Sequence, residues 1–301
     1  MASNGCGITD NGLSLCTNIE ELDVNNNSKV TTCEPFAKFL KKLSALGSCG
    51  ITDTGLQLCT NIEQLDSSYN VKITTCEPFA LTIKELIAEG LCGITDDELQ
   101  SCANIKNLSV HDNNKITTCE PFAKFIKIVY ACNHSITCGM TDAGLRLCTN
   151  IEELYAFNNE KITTCAPFAK SLKYLSAQDR CGIHDGALRT CINIEILYAD
   201  SNEKITTCKP FAKSLKYLTA GSSCGICDSG LRLCIRIEHL EIRDNGKITT
   251  CAPFAKSLKK LFADDCMQTD GLKLCNNNMV LHATDTTKLY HYWTNRSGVV
   301  A

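Results

Sequence analysis

The hydrophobic positions of the chain repeat at a short interval. A leucine or valine, here called the anchor, recurs about every 21 or 22 residues, and the local pattern around it is apolar-x-x-Leu-x-apolar, as at 19–24 and 40–45. Such alternation places every second side chain on one side of a short strand. The pattern predicts thirteen turns, each with one strand, anchored at Leu22, Leu43, Leu65, Leu86, Leu108, Val129, Leu154, Leu175, Leu197, Leu218, Leu240, Leu261 and Leu281.

Pairs of these turns form a longer repeat of 43 residues. The segments 161–172, 204–215 and 247–258 read KITTCAPFAKSL, KITTCKPFAKSL and KITTCAPFAKSL. The steps between successive prolines are 43, 43, 46, 43 and 43 residues, so one insertion of three residues is expected near 132–138. A period in this range predicts a solenoid or a propeller. All six prolines share one position of the repeat: Pro35, Pro78, Pro121, Pro167, Pro210 and Pro253.

Asparagine recurs five residues after the anchor in six alternate turns. A buried amide at this place can satisfy backbone groups where the strand bends away from the sheet. The alternative is an exposed turn residue, but the recurrence in register favours the buried role. The six are Asn27, Asn70, Asn113, Asn159, Asn202 and Asn245.

A second motif follows the short strands of alternate turns. It reads ITDNGL (8–13), ITDTGL (51–56), MTDAGL (140–145) and IHDGAL (183–188). With this motif the chain resembles leucine-rich repeat proteins, specifically the cysteine-containing, F-box-associated kind, over residues 6–283, although its turns are shorter than is usual there. The resemblance implies an α/β solenoid, a horseshoe with a parallel sheet on the concave face and short helices or 3₁₀ turns on the convex face.

The resemblance also suggests how the chain is divided. We expect one solenoid domain over 1–284, which begins inside a half-repeat, and a C-terminal cap or tail over 285–301. That tail departs from the repeat pattern and contains Tyr290, Tyr292 and Trp293.

Composition narrows the class of protein. The chain of 301 residues is 44% hydrophobic, which suffices for a core, and it has no apolar run near the ~20 residues that cross a bilayer. Its first residues have neither the basic nor the apolar region of a secretory signal. We therefore expect a cytoplasmic, reducing environment and no membrane partner. A net charge of −3 provides no general attraction to nucleic acid.

Cysteine is abundant, and its spacing indicates a structural role. Behind the strands, the pattern predicts that Cys33, Phe36 and Leu40 of one turn stack on Leu56, Cys59 and Ile62 of the next. Cysteines of one series lie two turns apart, about 10 Å at ~4.8 Å per strand, which exceeds disulfide reach. We expect reduced core thiols, with a disulfide ladder as the alternative. Twenty of the 22 cysteines form three series: Cys6, Cys49, Cys92, Cys138, Cys181, Cys224 and Cys266; Cys16, Cys59, Cys102, Cys148, Cys191, Cys234 and Cys275; Cys33, Cys76, Cys119, Cys165, Cys208 and Cys251.

Two places have the spacing of metal ligands. Cys224 and Cys227 form a C-x-x-C pair, but Cys224 belongs to a periodic series and Cys227 replaces the Thr of the ITD motif. The insertion offers Cys132, His134 and Cys138 without an evident fourth ligand. No phosphate-binding loop, dinucleotide fingerprint, nucleophile elbow or zinc-protease motif is present. We therefore expect that the protein is not an enzyme and that it has no metal site, no cofactor and no catalytic residue.

Charge is segregated on the predicted solenoid. Positions one before, one after, three after and four after the anchor are expected on the concave face, where fourteen acids face the three bases Lys42, Arg243 and Lys260. That face is near −11, which leaves about +8 elsewhere given the total of −3. The acids are Glu21, Asp23, Asp66, Glu85, Glu89, Asp112, Glu153, Asp179, Asp200, Glu241, Asp244, Asp264, Asp265 and Asp285.

Lysines recur on the remaining surface, in the PFAK segments and at the rim. We interpret them as a solvated exterior rather than a track for a polyanion, because a nucleic acid strand also needs aromatic platforms. They are Lys38, Lys124, Lys170, Lys213 and Lys256 in the PFAK segments, and Lys29, Lys72, Lys115, Lys161, Lys204 and Lys247 at the rim.

Aromatic residues gather on the predicted concave face. Rigid exposed tyrosines are typical of binding hot spots, although exposed strands also tolerate them simply as β-formers. The candidate partner-binding residues are Tyr130, Tyr155, Phe157, Tyr174, Tyr198, Tyr217, Asp179, Asp200 and Glu153.

The sequence therefore predicts a non-catalytic protein–protein interaction module whose acidic, Tyr/Phe-centred concave face binds a protein partner with a basic or mixed surface. The resemblance adds two alternatives. One is a substrate-recognition subunit of a ubiquitin ligase that acts with an F-box partner in trans. The other is a cytosolic enzyme inhibitor of the ribonuclease-inhibitor type. The oligomeric state is left open by the sequence.

Overall fold

The computed structural model describes residues 6–135, 137–263, 274–275 and 279–282. The chain divides into two compact units, Met1–Tyr155 and Ala156–Ala301, which are described one at a time. The expected cap over 285–301, with Tyr290, Tyr292 and Trp293, lies outside the described residues, as do Cys266, Asp264, Asp265 and Asp285.

The first unit contains a parallel sheet in which each strand pairs with the next strand of the chain. The register places the anchors side by side, so Leu22 lies opposite Leu43 and Val129 lies opposite Leu154. Its strands are β1 (Glu21–Asp23), β2 (Lys42–Ser44), β3 (Gln64–Asp66), β4 (Glu85–Ile87), β5 (Asn107–Ser109), β6 (Ile128–Tyr130) and β7 (Glu153–Tyr155).

The second unit repeats this arrangement. Its strands are again parallel and in chain order, and the anchors from Leu175 to Leu281 are aligned. The strands are β8 (Tyr174–Ser176), β9 (Ile196–Tyr198), β10 (Tyr217–Thr219), β11 (His239–Glu241), β12 (Lys260–Phe262) and β13 (Val280–His282). Each of the thirteen predicted anchors is the central residue of a strand, which confirms the number of turns and their type.

Short helical turns alternate behind the strands. Five turns that carry the ITD-x-G-L motif or a variant of it form four-residue α-helices, namely α1 (Asp10–Leu13), α2 (Asp53–Leu56), α3 (Asp142–Leu145), α4 (Asp185–Leu188) and α5 (Asp228–Leu231). Turns that carry the proline form 3₁₀ helices, because the fixed φ and missing N–H of proline suit a first helical turn. These are η1 (Glu34–Phe36), η2 (Glu77–Phe79), η4 (Glu120–Phe122), η5 (Ala166–Phe168), η6 (Lys209–Phe211) and η7 (Ala252–Phe254); η3 (Asp97–Leu99) is a 3₁₀ helix without proline.

The core between sheet and helical turns buries the positions that the repeat predicts. Cys33, Phe36 and Leu40 of one turn and Leu56, Cys59 and Ile62 of the next are at most 1% exposed. The phenylalanine that follows the proline is buried in all six proline turns. Full burial of such a side chain contributes about 1.5 to 3 kcal/mol, so a recurring phenylalanine stabilises every pair of turns.

None of the cysteines that the structure describes forms a disulfide bond. The thiols of the proline turns interact with thiols of the following turn, because the two series meet at one-turn spacing. The spacing argument considered cysteines of one series only and did not anticipate this contact. The pairs are Cys33 with Cys59, Cys76 with Cys102, Cys119 with Cys148, Cys165 with Cys191, Cys208 with Cys234 and Cys251 with Cys275.

None of the helices in the described part of the chain has the length and apolar character that crossing a bilayer requires.

Candidate interaction surface on the sheet face

One side of each sheet presents the residues on either side of the anchors. The anchor of each strand from β1 to β12 is buried, whereas the residue before it is half-buried or exposed. This follows from the alternation of side chains along a strand. We call this side the sheet face.

Buried asparagines hold the chain where it leaves each strand. The Nδ2 of Asn113 donates to the carbonyl of Ala88 over 2.6 Å, and its Oδ1 accepts the N–H of Lys115 over 2.8 Å. Asn202 and Asn245 make equivalent bonds in the second unit. All six asparagines are at most 2% exposed, which confirms the buried role.

The residue four after the anchor, which directly precedes the buried asparagine in the six turns that have one, has a left-handed backbone in most turns. Its φ lies between 53° and 68°, a region in which glycine, asparagine and aspartate are enriched. Three of the predicted acidic residues, Asp112, Asp179 and Asp244, therefore occupy turn positions as well as positions of the predicted acidic face. The sequence contains a signal for this left-handed position, namely a recurring Asn, Asp, Gly or Ser four residues after the anchor. These residues are Asn26, Gly47, Gly90, Asp112, Asn158, Asp179, Ser201, Ser222 and Asp244, and Tyr69 has the same position in its turn.

Three candidate residues meet in the first unit. Tyr130 and Tyr155 are register partners on β6 and β7, and their rings stack with centroids 4.2 Å apart. The hydroxyl of Tyr155 donates to Glu153 over 3.2 Å. The ring of His111 meets the edge of Tyr130 at 5.6 Å. We call these four residues the first ring group.

A longer series of rings lies on the second unit. Tyr174, Tyr198, Tyr217 and His239 come from four successive strands, and neighbouring centroids are 5.5, 5.3 and 5.6 Å apart. The hydroxyl of Tyr217 donates to Glu241 over 2.9 Å. Burial, together with Glu241, raises the pKa of Tyr217 well above its ordinary value, so the hydroxyl stays protonated as a donor. We call this series the second ring group.

Polar side chains next to the second ring group are bonded to one another. Asp200 accepts the backbone N–H of Gly221 over 2.7 Å, the amide of Gln178 over 2.9 Å and the hydroxyl of Thr219. Its carboxylate thus helps to hold neighbouring turns together as well as adding charge. Among the other candidates of this unit, Asp179 donates its N–H to the carbonyl of Asp200, and Phe157 is half-buried.

Two depressions mark the sheet face of the first unit. A groove of about 430 Å³ over β1 to β4 is lined by Glu21, Asp23, Asp66 and Glu85 around Lys42, which pairs with Glu21 at 2.8 Å. A pocket of about 230 Å³ lies over β4 to β6. The repeat pattern did not predict either one, because each is formed by side chains from adjacent turns.

Several rim lysines have structural contacts. The ammonium groups of Lys72, Lys115, Lys204 and Lys247 donate to the carbonyls of Cys49, Cys92, Cys181 and Cys224 over 3.0 to 3.2 Å. Each bond ties a turn to the one before it in sequence. These four lysines therefore do more than solvate the exterior, which is all that the sequence suggested.

The candidate metal ligands do not come together. Across the residues that the structure describes, no three His, Cys, Asp or Glu side chains are grouped so that they could bind a metal ion. Cys132 and Cys138 are buried whereas His134 is exposed. Burial raises the pKa of the Cys224 thiol to about 11, while Cys227 is the N-cap residue of α5 and contacts the hydroxyl of Ser229 at 3.2 Å.

Comparison with known proteins identifies the fold. No protein-family model matches the chain, and no curated protein matches it. Among solved structures, the functional domain of InlJ from Listeria monocytogenes, described as including a cysteine ladder, is similar at 16% identity with a TM-score of 0.63. The match covers 92% of this chain and 61% of that one, so this chain spans about three fifths of the InlJ domain.

Two further structures agree. A leucine-rich repeat protein of Leptospira interrogans, LIC12759, matches at 14% identity and a TM-score of 0.50 over 90% of this chain and 85% of its own. A chain of the yeast Rad7 and Elc1 complex matches at 11% identity and a TM-score of 0.51 over 91% and 83%. At these identities the comparisons show the fold, which is that of leucine-rich repeat proteins, as the motifs predicted.

Proposed function

We propose that this leucine-rich repeat chain is a non-catalytic protein–protein interaction module, and that it binds a protein partner through the sheet face. The observation that carries the proposal is the pair of ring groups. Tyrosine rings bury a large area at a small cost in rotamer freedom, and they are enriched at the energetic centres of interfaces.

The ring groups are pre-organised for binding. Each tyrosine side chain packs against a neighbouring ring, and the hydroxyls of Tyr155 and Tyr217 are bonded to Glu153 and Glu241. Strand pairing and the buried asparagines hold the backbone beneath them. Side chains that are already ordered lose little entropy when a partner binds, so more of the contact energy remains as affinity.

Charge favours a partner with a basic or mixed surface. The groove over β1 to β4 adds four carboxylates next to one lysine that is already paired. Complementary charge mainly accelerates association and suppresses wrong partners, so binding should weaken as salt is added.

The comparisons support the same class of function. The Rad7 structure is, by its description, a complex with a second protein, Elc1. The two alternatives that the family resemblance raised, a ubiquitin-ligase recognition subunit with an F-box partner in trans and an inhibitor of the ribonuclease-inhibitor type, are particular forms of this proposal and differ in the partner. The free thiols favour a reducing compartment as the place of action.

The test removes one tyrosine from each ring group. We expect the Tyr155→Ala/Tyr198→Ala variant to lose at least tenfold in affinity for a partner that wild type captures from lysate, because hot-spot truncations cost about 2 kcal/mol or more. Phe39→Ala is the matched control, since Phe39 is 47% exposed and lies outside both ring groups. Circular dichroism shows that each variant is folded. A folded double variant that retains the partner at wild-type affinity contradicts the proposal.

A further inference from the structure

The pocket over β4 to β6 combines three kinds of side chain within the first unit. Register places Ile87, Ser109 and Tyr130 side by side on three successive strands. Glu85 lines the pocket from the residue before the β4 anchor, and Glu89 and His111 line it from the residues that follow β4 and β5. The pocket thus combines the apolar side chain of Ile87, the aromatic ring of Tyr130 and two carboxylates.

Both carboxylates keep capacity for a further bond. Glu89 accepts the hydroxyl of Ser109 over 2.6 Å, and Glu85 accepts the side-chain amide of Gln64 over 3.3 Å. A carboxylate has about four acceptor positions, so a single neutral donor leaves most of them open. Within the described residues, neither glutamate forms an ion pair with a lysine or an arginine.

Lys42 interacts electrostatically with Glu85 from the adjacent groove, but it is already ion-paired with Glu21. His111, which lines the pocket, could neutralise Glu89 only in its protonated form, and its burial disfavours that form. Burial lowers its pKa below the ordinary value, and His134 acts in the same direction, while Glu89 and Asp112 oppose the shift. Its Nδ1 accepts the backbone N–H of Cys132 over 3.2 Å, so the proton of the neutral ring is on Nε2. That atom lies 3.9 Å from Glu89, which is too long for a hydrogen bond.

We propose that this pocket holds one arginine side chain from an extended segment of the protein partner. This inference rests on the proposed function and names the side chain through which the partner would be held. The guanidinium would lie between the carboxylates of Glu85 and Glu89 and pack against the ring of Tyr130, with its methylenes over Ile87. Arginine fits better than lysine because its planar, multiply donating head both stacks on a ring and bonds carboxylates.

The acidic groove supports an extended segment. Glu85 and Ile87 line both depressions, so the groove over β1 to β4 continues from the pocket along the sheet face. A chain that places its arginine in the pocket would pass next to Asp66, Asp23 and Glu21. Charge complementarity therefore favours further basic residues in the partner segment next to that arginine.

The experiment uses two peptides as probes, Ac-Ser-Gly-Arg-Gly-Ser-amide and the same peptide with glutamine in place of arginine. Binding to the full chain is followed by the NMR shifts of the His111 and Tyr130 rings. We expect the arginine peptide to bind at least tenfold more tightly than the glutamine peptide, and a lysine peptide to lie between them. Equal binding of the arginine and glutamine peptides overturns the proposal, and equal binding of the arginine and lysine peptides overturns the assignment to arginine.

Variants locate the binding site. Glu89→Gln should weaken binding of the arginine peptide at least tenfold, whereas Glu77→Gln, which removes the same charge from the exposed first residue of η2, should change it less than threefold. Binding should also weaken as pH falls, but only well below about 6.5, the ordinary pKa of histidine, because burial lowers the pKa of His111 and only its protonated form competes for Glu89. His111→Gln should reduce this pH dependence to the part that comes from the carboxylates.

The two proposals fail in different ways. If Glu89→Gln leaves peptide binding unchanged while Tyr155→Ala/Tyr198→Ala abolishes capture of the natural partner, the pocket is rejected and the interaction module stands. If the arginine peptide binds as expected and the double tyrosine variant still captures its partner, the ring groups are rejected as the centre of the interface.

Discussion

The buried asparagine is the clearest case in which one side chain sets the backbone around it. Asn113 lies at 0% exposure and satisfies a carbonyl of the preceding turn and an amide of its own turn. A buried polar group without a partner costs free energy, so the amide, which both donates and accepts, suits this place. Its recurrence was therefore a sign of a structural requirement.

Replacement of Asn113 by alanine should lower the free energy of unfolding by about 3 kcal/mol, because the carbonyl of Ala88 and the N–H of Lys115 would each lose a buried partner. Asn104→Ala is the control, since Asn104 is only half-buried and its bond to the carbonyl of Leu81, 2.8 Å long, is exposed to solvent. The Asn104→Ala substitution should lower the free energy of unfolding by about 1 kcal/mol or less. Urea unfolding of both variants measures the difference, and equal losses would show that burial does not set the cost.

Whether a turn with the ITD-x-G-L motif or a variant of it is an α-helix or a 3₁₀ helix depends on how closely its backbone approaches the turn before it. In α2, a Cβ on Gly55 would lie 2.1 Å from the carbonyl oxygen of Thr31, and the close approach lets the carbonyl of Gly55 accept the N–H of Cys33 over 3.0 Å. Where Glu98 takes the same position of the motif, the turn is the 3₁₀ helix η3, and Glu98 instead bonds Thr95. Glycine here provides space rather than a special φ.

Gly230→Ala should destabilise the second unit by about 2 kcal/mol through overpacking, because the added Cβ would lie 2.2 Å from the carbonyl oxygen of Thr206. Gly12→Ala is the matched control, since the nearest atom there is 4.0 Å away, and it should stay within about 0.5 kcal/mol.

Ala187 occupies the corresponding position in α4. A helical turn can therefore accommodate a methyl group at this position when its neighbours are packed around it. The expected cost at Gly230 therefore reflects neighbours that are packed for glycine. Thermal or urea unfolding of the two variants gives the comparison, and similar stabilities would contradict the close-approach argument.

Taken over the whole molecule, the thiols divide into a buried majority and a few accessible ones. Among the described cysteines, Cys16 is exposed, Cys6 and Cys227 are half-buried, and the rest are buried. The neighbouring thiol of Cys59, together with burial, raises the pKa of the Cys33 thiol, whereas the hydroxyl of Ser229 lowers the pKa of Cys227. The thiolate is the reactive form, so both exposure and pKa favour reaction at Cys227.

Alkylation of the native protein with iodoacetamide at pH 7.5 should modify Cys16 and Cys227 at least a hundredfold faster than Cys33 or Cys59, and denaturant should remove the difference. Peptide mass spectrometry at timed intervals measures each rate. Rapid modification of Cys33 in a protein that remains folded would show that the turns open readily, contrary to the packing described above.

The amino-acid sequence by itself determined the number of turns, their order, the strand in each and the residues of the core. The reason is physical: in a solenoid each turn packs on its sequence neighbours, so one period specifies both the local element and its partner. The anchors, the buried asparagines and the stacked core slots could therefore be read from spacing alone. The leucine-rich repeat motif added the type of fold.

Only the tertiary structure decided how side chains of adjacent turns meet. The thiol pairs, the two ring groups, the pocket next to Tyr130 and the bonds from rim lysines to the preceding turn all depend on lateral register and on rotamers. A one-dimensional period does not contain these quantities, because residues 21 to 25 positions apart become neighbours only when two strands align. The sequence could name the tyrosines as candidates, but not show which ring each would touch.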